Sequence, residues 1–123
     1  MTRDLNLLRR ILLAVDGSDG PFNAAAICPD VDRPLLLYHV AQLHEAGYLE
    51  TSNNSTTRET RITINGLTWK GHEFLDAIRP DARWQQIKER LQIDARAVPV
   101  YVVAQYAFQL SVQQAPVEEL STK

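Results

Sequence analysis

Histidine, cysteine, arginine and tryptophan are the side chains of this 123-residue sequence best able to do chemistry, and their spacing limits which chemistry is open. His39, His44 and His72 invite a metal ion. On one helix, His39 and His44 stand five residues and about 140° apart around the axis, so they cannot share a coordination shell on their own. His72-Glu73 adds no donor at a useful spacing, and neither a metal nor any other cofactor is expected. His39 falls at the border of an apolar face, where an imidazole is expected to hydrogen-bond a backbone group. Cys28 is the single cysteine; with no Lys, Arg or His beside it, it reads as a buried, unreactive thiol. There is no glycine-rich phosphate cradle, nucleophile elbow or glutamate-rich metal box, and the serines sit in loops or the tail. An enzyme is not expected.

The basic residues are better grouped. From Thr51 to Lys70, Arg58, Arg61 and Lys70 stand against Glu59, a balance of +2 (three bases less one acid). With Arg33 they could contact a few phosphates, or place an arginine in a minor groove. Trp69 and Trp84 could stack on bases. Their positions suit core anchors better, each with its indole N–H near the surface. The whole chain offers nucleic acid no general attraction, because its formal charge is −2. Any such affinity must come from a local patch.

A content of 45% apolar and 23% charged residues is that of an ordinary globular chain with one sizeable core. Leu5, Leu8, Ile11, Leu12 and Val15 repeat at helical spacing, with Thr2 or Asp4 as the cap and Arg3, Arg9 and Arg10 on the wet side. Leu7 and Leu13 widen the arc enough for a second contact, which another copy of the chain could supply. Asp16-Gly-Ser-Asp-Gly-Pro21 ends that helix. Phe22 to Cys28 could be a strand or an abbreviated helix. Asp32 then caps a helix over 35–46 with Leu36, Val40 and Leu43 on its core seam, and Pro34, Tyr38, Ala41, Gln42 and Glu45 opposite. Gly47 supplies a left-handed stop.

Tyr48-Leu49-Glu50 begins a strand, and Arg61-Ile-Thr-Ile64 returns it. Between them 51–60 is polar throughout, and it reads as a mobile tip with no apolar anchor. Asn65-Gly66 is expected to turn the chain, and Thr68 or Asn65 to cap a helix over 69–79. Pro80 separates that helix from one bearing Trp84, Ile87 and Leu91. The uncharged stretch from Ala97 to Val117 carries Gln105, Gln109 and Gln113 as one polar stripe, and it is too polar to span a bilayer. It is expected to combine core packing with a homodimer interface, with Val100, Val103, Ala107 and Phe108 as the contact residues.

Tyr38-His-Val-Ala-Gln-Leu-His-Glu-Ala-Gly-Tyr-Leu49 resembles the recognition helix and wing of bacterial winged-helix regulators. Arg3 to Leu13, and above all Leu67-Thr-Trp-Lys-Gly-His-Glu-Phe-Leu-Asp-Ala-Ile-Arg79, resemble a phage and prophage family, the domain of unknown function numbered twenty-five thirteen. The resemblance covers about Met1 to Leu91. It implies a winged-helix fold and a mobile-element setting, with no established activity. The chain departs from the regulator pattern on the exposed helix line, where only Gln42 and Tyr38 suit a base edge or phosphate.

The expected architecture is mainly α with a small β-hairpin, a winged helix-turn-helix-like domain plus C-terminal helices. Residues 1–92 form that domain, 93–115 hold an apolar helix packed on the core or on a dimer partner, and 116–123 form a flexible tail. The expected function is that of a cytoplasmic transcription regulator binding double-stranded DNA. Arg33, Tyr38 and Gln42 would approach the groove while Arg58, Arg61 and Lys70 hold phosphates. The second reading is a protein-interaction module, an accessory or inhibitor subunit that keeps the fold without the readout.

Overall fold

The computed structural model describes residues 3–91 and 99–114. Among the described residues, five helices surround one core and a three-stranded antiparallel sheet, so the chain is mainly α with a small β component, as its pattern predicts. The first helix, α1 (Leu5–Asp16), starts where the Asp4 carboxylate accepts hydrogen bonds from the N–H groups of Asn6 and Leu7. Its wide apolar arc is used inside the chain. Leu5, Leu8, Ile11, Leu12 and Val15 are buried and so is Leu7, because α1 is covered by the second helix, the sheet and the third helix together. The second contact that Leu7 and Leu13 suggested is therefore intramolecular.

Phe22 to Cys28 resolves the strand-or-helix ambiguity by being both. Strand β1 (Phe22–Asn23) pairs with the sheet, and Asn23 then caps a single 3-10 turn over Ala24–Ala26. The next helix, α2 (Arg33–Glu45), has Asp32 at its N-cap position, but the Asp32 side chain makes no capping bond. The predicted seam of Leu36, Val40 and Leu43 is buried, and His39 joins it with no exposed surface. The imidazole is satisfied on both sides: Nδ1 donates to the Leu35 carbonyl at 2.9 Å, and Nε2 accepts the Asp4 N–H at 2.8 Å. One buried ring thus ties the start of α1 to the middle of α2.

Gly47 ends α2 at φ +87°. That turn lets its own N–H reach the His44 carbonyl and the Tyr48 N–H reach the Leu43 carbonyl, both at 2.9 Å. Strands β2 (Leu49–Asn53) and β3 (Ile62–Leu67) follow as an antiparallel hairpin, and β3 lies between β1 and β2. The expected turn at Asn65-Gly66 is absent. Gly66 pairs with Glu50, and Asn65 is the extra residue of a bulge opposite Glu50/Thr51. Pairing with the base of β2 keeps this Asn-Gly pair extended, and Asn65 Nδ2 bonds to Ser52 Oγ across the strands.

Helix α3 (Trp69–Ile78) begins with Thr68, whose Oγ1 accepts the Gly71 N–H. Pro80 separates it from α4 (Asp81–Leu91), and α5 (Val100–Gln114) packs on both. Trp84 is buried with Nε1–H on Asn6 Oδ1, as a core anchor should be. Arg9 lies over its ring and donates to the Ile78 and Arg79 carbonyls at the end of α3 and to the Asp81 carboxylate. The sequence placed Arg9 on the wet side; instead it is a strut between α1, α3 and α4. The expected tail over 116–123 and the part of the expected 93–115 segment before Pro99 lie outside the described residues.

Gly71 is buried, and a Cβ there would sit 2.1 Å from the Tyr48 carbonyl oxygen. Gly71→Ala should therefore lower stability by about 3 kcal/mol, although alanine is the better helix former. A urea midpoint unchanged or raised by this substitution would show that α3 does not depend on so close an approach.

Candidate nucleic-acid interface

The residues singled out by sequence fall into two groups at opposite ends of α2. At its start, the Arg33 guanidinium donates to the Thr60 carbonyl at 2.7 Å, joining the helix N-terminus to the returning arm of the β2–β3 hairpin. The tip of that hairpin has local anchors. The Asn54 N–H bonds to the Arg61 carbonyl and the Thr56 N–H to the Glu59 carbonyl, each at 2.8 Å. Thr56 Oγ1 accepts from both Arg58 and Glu59 N–H, and the Arg61 N–H donates to Ser55 Oγ. Hydroxyl and amide side chains hold the turn in place of apolar contacts. Thr57 and Arg58 are left at the outermost point, and the Arg58 guanidinium makes no ion pair among the described residues.

Arg61 is less available. Its guanidinium pairs with Glu59 at 2.9 Å, which neutralises half of the basic charge on the tip. Lys70 does not join the group at all. Its Nζ donates to the Ala46 carbonyl at 3.1 Å and lies over the Tyr48 ring, capping the far end of α2 about 18 Å from Arg33. The sequence could not separate Lys70 from Arg58 and Arg61, because all three flank the same hairpin.

Between these ends, Pro34, Ala41, His44 and Glu45 are exposed, while Leu37, Tyr38 and Gln42 are half-buried. The Tyr38 ring meets His39 edge to face at 5.2 Å, so part of it belongs to the fold. Besides Arg33 at its start and His44 near its end, α2 offers a groove one glutamine, one tyrosine edge and one carboxylate. The three histidines have separate surroundings. His39 is the internal tie described above, His44 Nδ1 donates to the Leu49 carbonyl at 3.1 Å, and His72 lies 3.9 Å from Asp16. Among the described residues, no three His, Cys, Asp or Glu side chains are placed to hold a metal ion.

Trp69 overturns its expectation. It is 80% exposed, not a core anchor, because it shares the outward line of α3 with Glu73 and Asp76 while Phe74, Leu75 and Ile78 face inward. On α5, Val100, Val103 and Ala107 are buried within this chain, and of the four expected interface residues only Phe108 keeps open surface.

Cys28 is buried, as expected. Burial pushes its thiol up, Arg10 pulls against that, and Asp30 adds to the rise. Arg10 forms a two-pronged pair with Asp30 and holds that carboxyl below the usual range. No described helix is long and apolar enough to cross a membrane.

These features define a small, mainly helical domain with an arginine lacking an ion pair at a hairpin tip and its most exposed aromatic side chains elsewhere. The chain belongs to the family described as hypothetical protein (DUF2513), whose model matches residues 2–97. It is similar to an uncharacterized protein of Haemophilus influenzae (strain Rd), with 30% identity over 111 residues, covering 87% of this chain and 92% of that protein. No solved structure matches. Helix α5 begins beyond the last residue of the family match.

Arg33→Ala should speed amide exchange at Asn54 and Arg61 while lowering global stability by about 1 kcal/mol or less. Unchanged exchange at those amides would mean the hairpin does not lean on α2. A thiol reagent at neutral pH should label Cys28 only as fast as the chain unfolds; labelling at the rate of a free thiol would contradict its inert environment.

Proposed function

We propose that this protein is a winged-helix DNA-binding module, a regulator that engages duplex DNA with its hairpin first and its helix second. The order helix, short strand, turn, helix, hairpin, with β3 between its neighbours, supports the winged-helix reading. The observation that carries the proposal is the Arg33–Thr60 bond, which sets the N-terminus of α2 and the hairpin on one side of the molecule. An N-terminus attracts phosphate through its unpaired N–H groups. Arg58, at the hairpin tip without an ion pair, reaches a second phosphate or a narrow minor groove. Beyond Arg33 at its start, Gln42 and Tyr38 are the groups on α2 proposed to meet a base edge or phosphate, so affinity comes mostly from the backbone and sequence preference is modest. The mobile-element setting comes from the resemblance alone.

The second reading is a protein-interaction module on the same frame. The half-exposed Leu37 and Tyr38 beside Pro34 and Ala41 favour it, since they would suit a partner's apolar side chains better than a phosphate.

Fluorescence anisotropy with a random duplex separates the two. With Arg58 on one phosphate, and Arg33 and Arg61 exchanging their Thr60 and Glu59 partners for two more, log affinity should fall against log salt with a slope of about −2.7, and Arg58→Ala should flatten it by about 0.9. No binding at low salt would remove the DNA proposal and leave the interaction module.

A further inference from the structure

We propose that a second copy of this chain docks antiparallel along α5, and that Tyr101 of each copy fills a groove between α3 and α5 of the other. Three observations converge on this. First, α5 carries no charged residue over its whole length, yet Tyr101 is 61% and Val112 69% exposed, with Gln105 exposed and Phe108 half-buried between them. Second, these four residues follow one another at intervals of four, three and four. They form one stripe, and the intervals read the same in both directions. A two-fold axis crossing the stripe at its midpoint therefore sets Tyr101 against the partner's Val112, and Gln105 against the partner's Phe108. Large meets small at each end, as a knob meets its hole. An isologous contact demands this self-complementarity, and an unrelated partner does not.

Third, the hole exists. Glu73, Asp76, Ala77, Phe108 and Ser111 line an open groove of about 380 Å³ beside the C-terminal half of the stripe. The chain's own Tyr101 starts seven residues before Phe108, about 10 Å back along the same helix, and so does not reach it. The antiparallel arrangement carries the partner's Tyr101 to it, with its hydroxyl toward the carboxylates of Glu73 and Asp76. The same arrangement brings the positive N-terminal end of the partner's α5 toward those carboxylates. The expected interface residues Val100, Val103 and Ala107 hold α5 onto its own domain, and the adjacent line faces the second copy. This inference does not rest on DNA binding.

A seam one helix long is at the small end of specific interfaces, so association is best followed by light scattering across a concentration series. The wild-type chain should move from monomer to dimer mass. Tyr101→Glu, which sets a third carboxylate against Glu73 and Asp76, and Val112→Glu should each weaken association by about thirtyfold or more with helical content and melting temperature unchanged. Both positions are exposed, which separates this loss from misfolding. In the variant with Tyr101→Cys and Val112→Cys, oxidation should join residue 101 of one copy to residue 112 of the other. Tyr101→Cys alone should stay unlinked, because two copies of that position lie about 16 Å apart across the seam. Wild-type monomer at every concentration would overturn the proposal and leave the groove's acidic rim to a basic partner. A dimer indifferent to both glutamates would equally overturn it.

Discussion

The three residues that turn α2 into β2 hold the domain together, and the start of α3 is what holds them. A helix end leaves carbonyl groups without partners, and burying that end is costly unless each finds a donor. Here Ala46 is met by Lys70 Nζ, Gly47 by Thr68 Oγ1, and Tyr48 by the Thr68 N–H. Gly71 then has no side chain, so α3 can lie directly on the Tyr48 carbonyl, and the Phe74 ring stacks on Tyr48 at 4.6 Å. One short run of sequence, from Thr68 to Phe74, supplies a cap, a donor, a close approach and a ring. The residue types of that run are thereby explained by folding.

That constraint sorts the basic residues. Lys70 closes the end of α2, Arg9 closes the end of α3 against Trp84, and Arg10 ties α1 to Asp30 ahead of α2. Charges engaged with carbonyl groups and neighbouring carboxylates are not free to form a patch. Among the wing and helix candidates, Arg58 is the cation left over, and the fold sets it at the hairpin tip on the side of α2 where Arg33 reaches across to Thr60. With net charge −2 and one such arginine among those candidates, the proposed DNA contact is backbone-directed and not a deep reading of a major groove.

The helices and most of their caps (Asp32 excepted, whose side chain makes no capping bond) were legible because apolar spacing and capping chemistry are local. Asp4, Thr68 and Gly47 sit where their residue types suit the backbone, and Leu36, Val40 and Leu43 repeat with the helix turn. Errors came where a neighbour in space outvoted a neighbour in sequence. Asn65-Gly66 has the composition of a turn, yet pairing with the base of β2 keeps it in the strand. Trp69 has the size of a core residue, yet the line of α3 that faces inward is set by Phe74, Leu75 and Ile78. Arg9 looks like a surface charge, yet the ends of two helices converge on it.

Residue type and short-range periodicity were enough for the five described helices, the caps at Asp4 and Thr68, the glycine stop at Gly47, the buried seam of α2 and the burial of Cys28. Sequence alone also set the symmetric spacing along α5. Only the tertiary structure decided which side of α5 faces outward, which basic residues stay unpaired, and that His39 bridges α1 and α2. Those outcomes depend on contacts between residues tens of positions apart, such as Asp4 with His39 or Arg9 with Ile78. A one-dimensional pattern carries no record of which surfaces meet.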